Sequence, residues 1–299
     1  MDNKNINVMN KAFHILLFFC VGFALISSSL GLFYETDGQS FNFINQYGDT
    51  IKIYGNGIYK NDSYFMAPIF KGSDCTMLFL AIPLLIIALI MDIKKSTLKT
   101  KLCAVSMVAL FVYYSASYSL GVVYNVLHLV YIALFSCSTY ALTMGLILLK
   151  DYEIKPSVKI DTVGLKIFLF FCGLSLFVAW LPDIIVSIVN KKSLELIEVY
   201  TTQITYVLDM GILSPLMFIC LYSLSKKKNM GYILLSIILS MLIIVGVMVI
   251  LQAIFQIKAG IDLPIEAILT KVGAFVVLGI IAARYEVKLF RNICACLKK

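Results

Sequence analysis

The chain reads as an all-α integral membrane protein: an eight-transmembrane-helix bundle with a small β-containing extracytoplasmic lid between helices 1 and 2. Three observations predict this. Hydrophobic residues make up 61% of the 299 and charged residues only 14%, against roughly 25% charged in soluble domains, and mean hydropathy is +0.93. Apolar runs recur along the whole chain, each near the ~17–25 residues that a spanning helix needs. Basic residues collect between alternate runs, as in cytoplasmic loops. A net charge of +8 would suggest nucleic acid in a soluble protein. Here the lysines sit where anionic lipid headgroups lie, so the bilayer is the expected partner and nucleic acid is excluded.

The runs fall at 12–33, 75–92, 102–123, 126–149, 163–189, 203–224, 231–255 and 264–283, within one transmembrane domain spanning 1–299. The first, with roughly 22 residues, exceeds the ~7–15 of a signal-peptide core and is read as an anchor. Residues 34–74 are the one sizeable soluble stretch. Within it, 49–59 alternates and reaches Gly55-Asn56-Gly57, a β-hairpin signal. Ser63 to Phe70 is a second candidate extended segment. About 40 residues bury little core alone, so this stretch is expected to rest on the bundle as a lid. The sequon Asn61-Asp62-Ser63 is read as chance, because 23 Lys against 2 Arg suggests an AT-rich bacterial genome.

The second run is the shortest, with Asp74 expected as its helix cap. The fifth contains Trp180-Leu181-Pro182-Asp183, which predicts an exit from the core near Trp180. The sixth carries Asp209 and closes on Lys226-Lys227-Lys228. With the N-terminus inside, 18 of the 25 basic residues fall on the cytoplasmic side or its edge. Positive-inside logic then places both termini in the cytoplasm of a plasma-membrane protein. Pro83 precedes Lys94 by the spacing that separates Pro215 from Lys226, a weak hint that the two halves are a repeat.

Of eight cysteines, Cys20, Cys103, Cys137, Cys172 and Cys220 lie in apolar runs and act as small hydrophobes. Cys294 and Cys296 are read as ordinary reduced thiols. Two histidines at opposite faces, with His14 isolated, argue against a His-based metal or haem site. Walker A, HExxH, Gly-x-Ser-x-Gly and CxxC motifs are absent, so no cofactor, metal or catalytic residue is assigned.

A carboxylate inside a span costs about 2.5–3.5 kcal/mol on insertion scales, so Asp209 should face inward and have a partner. Lys271, at matching depth, is the expected ion-pair partner. Tyr114, Ser117, Tyr118, Tyr124, Asn125 and His128 recur at helical spacing, and with Glu266 at the outer rim they complete a candidate polar, ligand-binding cavity. Singly, these tyrosines fit interfacial anchoring; together they fit a pocket wall.

The segments Ile53–Ser63, Gly72-Ser73-Asp74, Tyr124-Asn125 and Val207-Leu208-Asp209-Met210-Gly211 with Pro215 resemble a widespread family of uncharacterised bacterial multipass membrane proteins. The resemblance covers most of the chain and implies one full-length module. It carries no activity. The leading expectation is a binding or transport-like protein for a small polar or ionic ligand entering from outside. A sensor or accessory subunit acting through a membrane protein partner comes second, and an intramembrane enzyme third.

Overall fold

The computed structural model describes residues 3–150, 152–156 and 162–297, without the side chains of Asn3, Lys155, Pro156, Ala267, Lys271 and 294–297. Eight helices among the described residues are long and apolar enough to cross a membrane. They are α1 Asn3–Phe33, then α2 Met66–Lys95, α3 Leu98–Gly121, α4 His128–Leu149, α5 Val163–Asn190, α6 Ile204–Ser225, α7 Asn229–Lys258 and α8 Ile268–Asn292. Their outward faces carry Phe18, Phe79, Val178 and Ile188, all exposed. An apolar perimeter of this extent suits lipid and would be a liability in water.

The most enclosed helices are α3 and α7, which cross at the centre. Helix α3 packs on α2 and α4, α7 packs on α2, α6 and α8, and α1 closes against α4 and α2. Close crossing depends on small residues. A Cβ on Gly72 would stand 2.5 Å from the Gln252 backbone, so α2 and α7 meet backbone to backbone there.

Several boundaries differ from the sequence expectation. Helix α2 starts at Met66 and not at 75, because Ser63 Oγ accepts from Met66 N at 3.1 Å and Pro68 sits in the first turn, where its missing N–H costs nothing. Ser63 to Phe70 is therefore mostly helix; only Ser63 makes a bridge, to Ile53. Asp74 is the ninth residue of the helix, in its third turn, and so does not cap its N-terminus. Helix α5 runs unbroken through Pro182 to Asn190, and none of its residues beyond Leu176 is buried, so it leaves the core near Trp180 as expected while staying helical.

The β-hairpin pairs β1 Phe41–Ile44 with β2 Thr50–Ile53, antiparallel, Phe41 opposite Ile53. Its turn is at Asn45, whose Oδ1 accepts from Tyr47 N and Asp49 N, each at 2.9 Å. Short polar side chains close such turns onto their own backbone. Gly55-Asn56-Gly57 forms a separate bend beyond β2, with positive φ at both glycines. A second small sheet, absent from the sequence reading, lies at the opposite end of the bundle. It pairs β3 Tyr152–Pro156 with β4 Ile293–Leu297, and Asn229 clamps it to α7 through Tyr152 O at 3.0 Å and Ile154 N at 3.3 Å. Cys294 and Cys296 are on β4; their side chains lie outside the described residues.

Helices α2 and α6 share a local feature. Each has a π turn, Met77–Ala81 and Asp209–Leu213, closed by Ile82 N–H on Met77 O and Ser214 N–H on Asp209 O. The next residue in each case is proline. Proline has no N–H and its ring crowds the carbonyl four residues back; a wider turn relieves that crowding. The equal Pro–Lys spacing in sequence thus coincides with equal helix geometry.

At the lysine-rich end, Asp92 ties three helices. Its Oδ1 accepts from Thr100 Oγ1 at 2.9 Å, and its Oδ2 accepts from His14 Nε2 at 2.7 Å and from Lys101 Nζ. Lys101 Nζ also donates to Asn10 Oδ1 at 2.7 Å. His14 is therefore not isolated, and Lys101 is fully buried.

Candidate functional site

The residues that α3 presents at the hairpin end divide into two polar clusters. Successive residues on a helix point about 100° apart, so Tyr113 and Ser117 face one way and Tyr114 and Tyr118 another. Tyr113 and Tyr114 each meet a different buried acid.

Tyr113 Oη donates to Asp209 Oδ1 at 2.9 Å, and Trp180 Nε1 donates to Asp209 Oδ2 at 2.9 Å. Asp209 is 4% exposed, so both oxygens need donors, and both have one. The Trp180 ring stacks on Tyr206 with centroids 4.6 Å apart, and Tyr206 Oη donates to Asp183 Oδ2 at 2.7 Å. Asp209 opens the π turn of α6, a distortion that often marks functional positions. Among the described residues no Lys or Arg lies within ion-pair distance of it. The expected partner Lys271 has its side chain outside the described residues. The donors are Tyr113 and Trp180, and neither Tyr114, Tyr118 nor His128 reaches Asp209.

Asp209 lies on the wall of a cavity of about 410 Å³. Its lining extends from Phe65, Gln203 and Asp262 to Ile238 and Phe275. From Gln256 to Ile238 along α7 it runs about 27 Å at 1.5 Å rise per residue. Methionine and aliphatic side chains dominate its lining, among them Met217, Met241 and Met248. Polar groups on the lining include Asp209, Tyr113, Ser117, Gln252, Gln256 and Asp262. Gln252 Nε2 is engaged to Ser73 Oγ at 2.8 Å. This is the usual character of a small-ligand site: an apolar body with a few placed polar groups.

The second cluster surrounds Asp74, which is fully buried. Tyr114 Oη donates to Oδ1 at 2.7 Å, and Tyr59, from the link after the hairpin, donates to Oδ2. Tyr114 Oη also meets Ser27 Oγ at 3.0 Å, and Tyr118 Oη donates to Phe70 O at 2.8 Å. Burial and the adjacent Asp74 carboxylate push the Tyr59 hydroxyl well above its ordinary range.

Of the sequence candidates, Tyr114, Ser117, Tyr118 and Asp209 line the cavity, although Tyr114 and Tyr118 turn their hydroxyls toward the Asp74 side. Tyr124, Asn125 and His128 stand apart at the hairpin end. Tyr124 is 75% exposed, with its ring 5.4 Å from that of His128, and Asn125 Oδ1 accepts from Leu127 N within its own turn at 2.9 Å. Glu266 is exposed and does not line the cavity. Asp74, Tyr59, Tyr113 and Trp180 carry contacts that spacing alone did not assign; the early helix start at Ser63 and Pro68 was the signal available for Asp74. No family model, curated protein or solved structure matches the chain.

Proposed function

We propose that the protein is a binding or transport-like protein of the plasma membrane that takes a small ligand into the α3–α7 cavity. In this reading the hairpin end faces outside as a lid, both termini are cytoplasmic, and the ligand enters between the hairpin end and α6. The ligand carries a polar or cationic group on an apolar body. Its polar group is held at Asp209, and its body lies against the methionine-rich lining. The observation that carries this reading is the cavity itself, about 410 Å³ with a buried carboxylate on its wall. Trp180, Tyr206 and Tyr113 around that carboxylate add aromatic faces of the kind that attract organic cations.

The test is chemical analysis of protein purified in native-lipid discs. Small molecules released from wild type, Asp209→Asn and Met241→Trp are compared by mass spectrometry. A species present in wild type and depleted in both variants supports the reading. Identical extracts from all three, or bilayer lipids alone in wild type, overturn it. Cysteine labelling from each side checks the orientation, with residues near Tyr47 accessible from outside and Lys227 from inside.

A sensor or accessory subunit acting through a membrane protein partner is the second reading. It is favoured by the cross-ties at the hairpin end, where Asn45 Nδ2 donates to Glu198 O at 2.8 Å and Ser63 Oγ donates to Glu198 Oε2. These bind the hairpin to the α5–α6 link, so a push on one would move the other.

A further inference from the structure

The cavity is zoned along its length. From the hairpin end toward the lysine-rich end, three of its walls turn from polar to apolar. Past Asp209 on α6, Gln252 on α7 and Asp262 ahead of α8, every described lining residue is apolar, as far as Met217, Ile238 and Phe275. This apolar zone is deep: Asp209 to Met217 covers about 12 Å and Gln252 to Ile238 about 21 Å, at about 1.5 Å rise per residue. The cavity is also thin. About 410 Å³ drawn out over about 27 Å gives a mean cross-section of about 15 Å². Carbon atoms in contact stand about 3.5–4.0 Å apart, so this is the width of one hydrocarbon chain and not of two.

The polar zone is anionic. Asp209 and Asp262 both line the cavity, and among the described residues no Lys, Arg or His does. Tyr113 and Trp180 each give Asp209 one hydrogen bond, which leaves lone pairs on both oxygens for a ligand. The stacked rings of Trp180 and Tyr206 stand next to it, and such faces attract organic cations.

Resting on the ligand reading above, we propose that the cavity takes a single-chain amphiphilic cation, an alkylammonium with its head at Asp209 and its chain running inward to Met217 and Ile238.

Other ligand classes suit one zone and not the other. A sugar would bury hydroxyls against the apolar zone, which is costly without partners there. A compact cation leaves that zone unfilled, and a neutral hydrocarbon leaves the Asp209 charge unmatched. An amphiphile with a carboxylate or phosphate head meets like charge at Asp209 and Asp262. A bilayer lipid with two chains side by side exceeds the width. A cationic head on one chain meets both zones, and the thioethers of Met217, Met241 and Met248 on the wall adapt readily to a flexible chain.

The experiment is equilibrium dialysis of the full chain in lipid discs against trimethylalkylammonium ions from butyl to dodecyl. Free concentrations are kept where empty discs stay intact, and binding to empty discs is subtracted. Affinity, referred to the free aqueous ion, should rise about threefold to fourfold per methylene up to a limiting chain length and then stop rising. Asp209→Asn should weaken binding about tenfold or more at every length. Met241→Trp should shorten the limiting length and Ile238→Ala should lengthen it, with butyl binding unchanged in both. These two variants decide the matter if Asp209→Asn does not fold. Butyl binding that depends on Asp209 but does not strengthen with chain length overturns this proposal and leaves the ligand reading standing. No saturable binding at any length, equal binding by Asp209→Asn, or one limiting length shared by wild type and both inner-zone variants also overturns it. The ligand reading itself falls only on the mass-spectrometric comparison of extracts.

Discussion

Tyr113 and Tyr114 are consecutive on α3 yet donate to different buried carboxylates, Tyr113 to Asp209 at 2.9 Å and Tyr114 to Asp74 at 2.7 Å. The helix turns by about 100° between them, and that rotation separates the cavity from the cluster beside it. Deleting one hydroxyl leaves a buried oxygen short of a donor, at a cost of about 1–3 kcal/mol. Tyr113→Phe and Tyr114→Phe should each lower unfolding stability by that order. Because they share no partner, their effects should add within about 0.5 kcal/mol. A clearly smaller or larger double loss in a denaturation series would mean the two acids belong to one network.

Gly31 on α1 leaves the room that the Asp74 carboxylate fills. A Cβ there would stand 2.1 Å from Asp74 Oδ2 and 2.5 Å from Tyr59 Oη. Both atoms are held by hydrogen bonds to each other, so neither can swing away freely. Gly31→Ala should cost about 1–3 kcal/mol, the usual range for overpacking. In an Asp74→Ala background the same substitution should cost little. If Gly31→Ala melts like wild type, the cluster is looser than described.

Asp92 and Lys101 form a buried pair, at 0% and 1% side-chain exposure. Removing one member strands the other, which typically costs ~3–5 kcal/mol, whereas removing both is milder. Asp92→Asn and Lys101→Met should each destabilise strongly, and the double variant should recover much of the loss. Simple addition of the two losses in thermal melts would show that the pair contributes no mutual stabilisation.

Burial pushes the Asp62 carboxyl up to about 7, against the hydrogen bonds from Val123 and Tyr200 that pull it down. Unfolded, it titrates near ~3.9. Between those values the folded chain holds a proton that the unfolded chain has released, so stability falls as pH rises from about 4 to about 7 and levels off above. Glu198, raised by burial from its ordinary value, acts in the same direction. Melting temperatures measured across this range should fall less steeply for Asp62→Asn than for wild type. Superimposable pH profiles would contradict the assignment.

The sequence by itself predicted eight apolar helices of spanning length, and the structure has eight such helices among the described residues. Span count depends only on run length and apolarity, which are local properties of the chain. It also marked Asp209 as an inward-facing acid, because a lone carboxylate in a span has few other places to go. Rotation of each helix was not legible. In a soluble helix, an apolar stripe marks the core face; in a bilayer the lipid face is as apolar as the core, so that periodicity is absent. Whether Tyr113 or Tyr114 would face Asp209 was therefore open until the helices were packed. Contacts across long sequence separations were equally out of reach: Trp180 on Asp209, Tyr59 on Asp74, and His14 with Lys101 on Asp92. These pairings arise only when distant helices meet, and only the tertiary structure decides which buried donor stands opposite each buried acid.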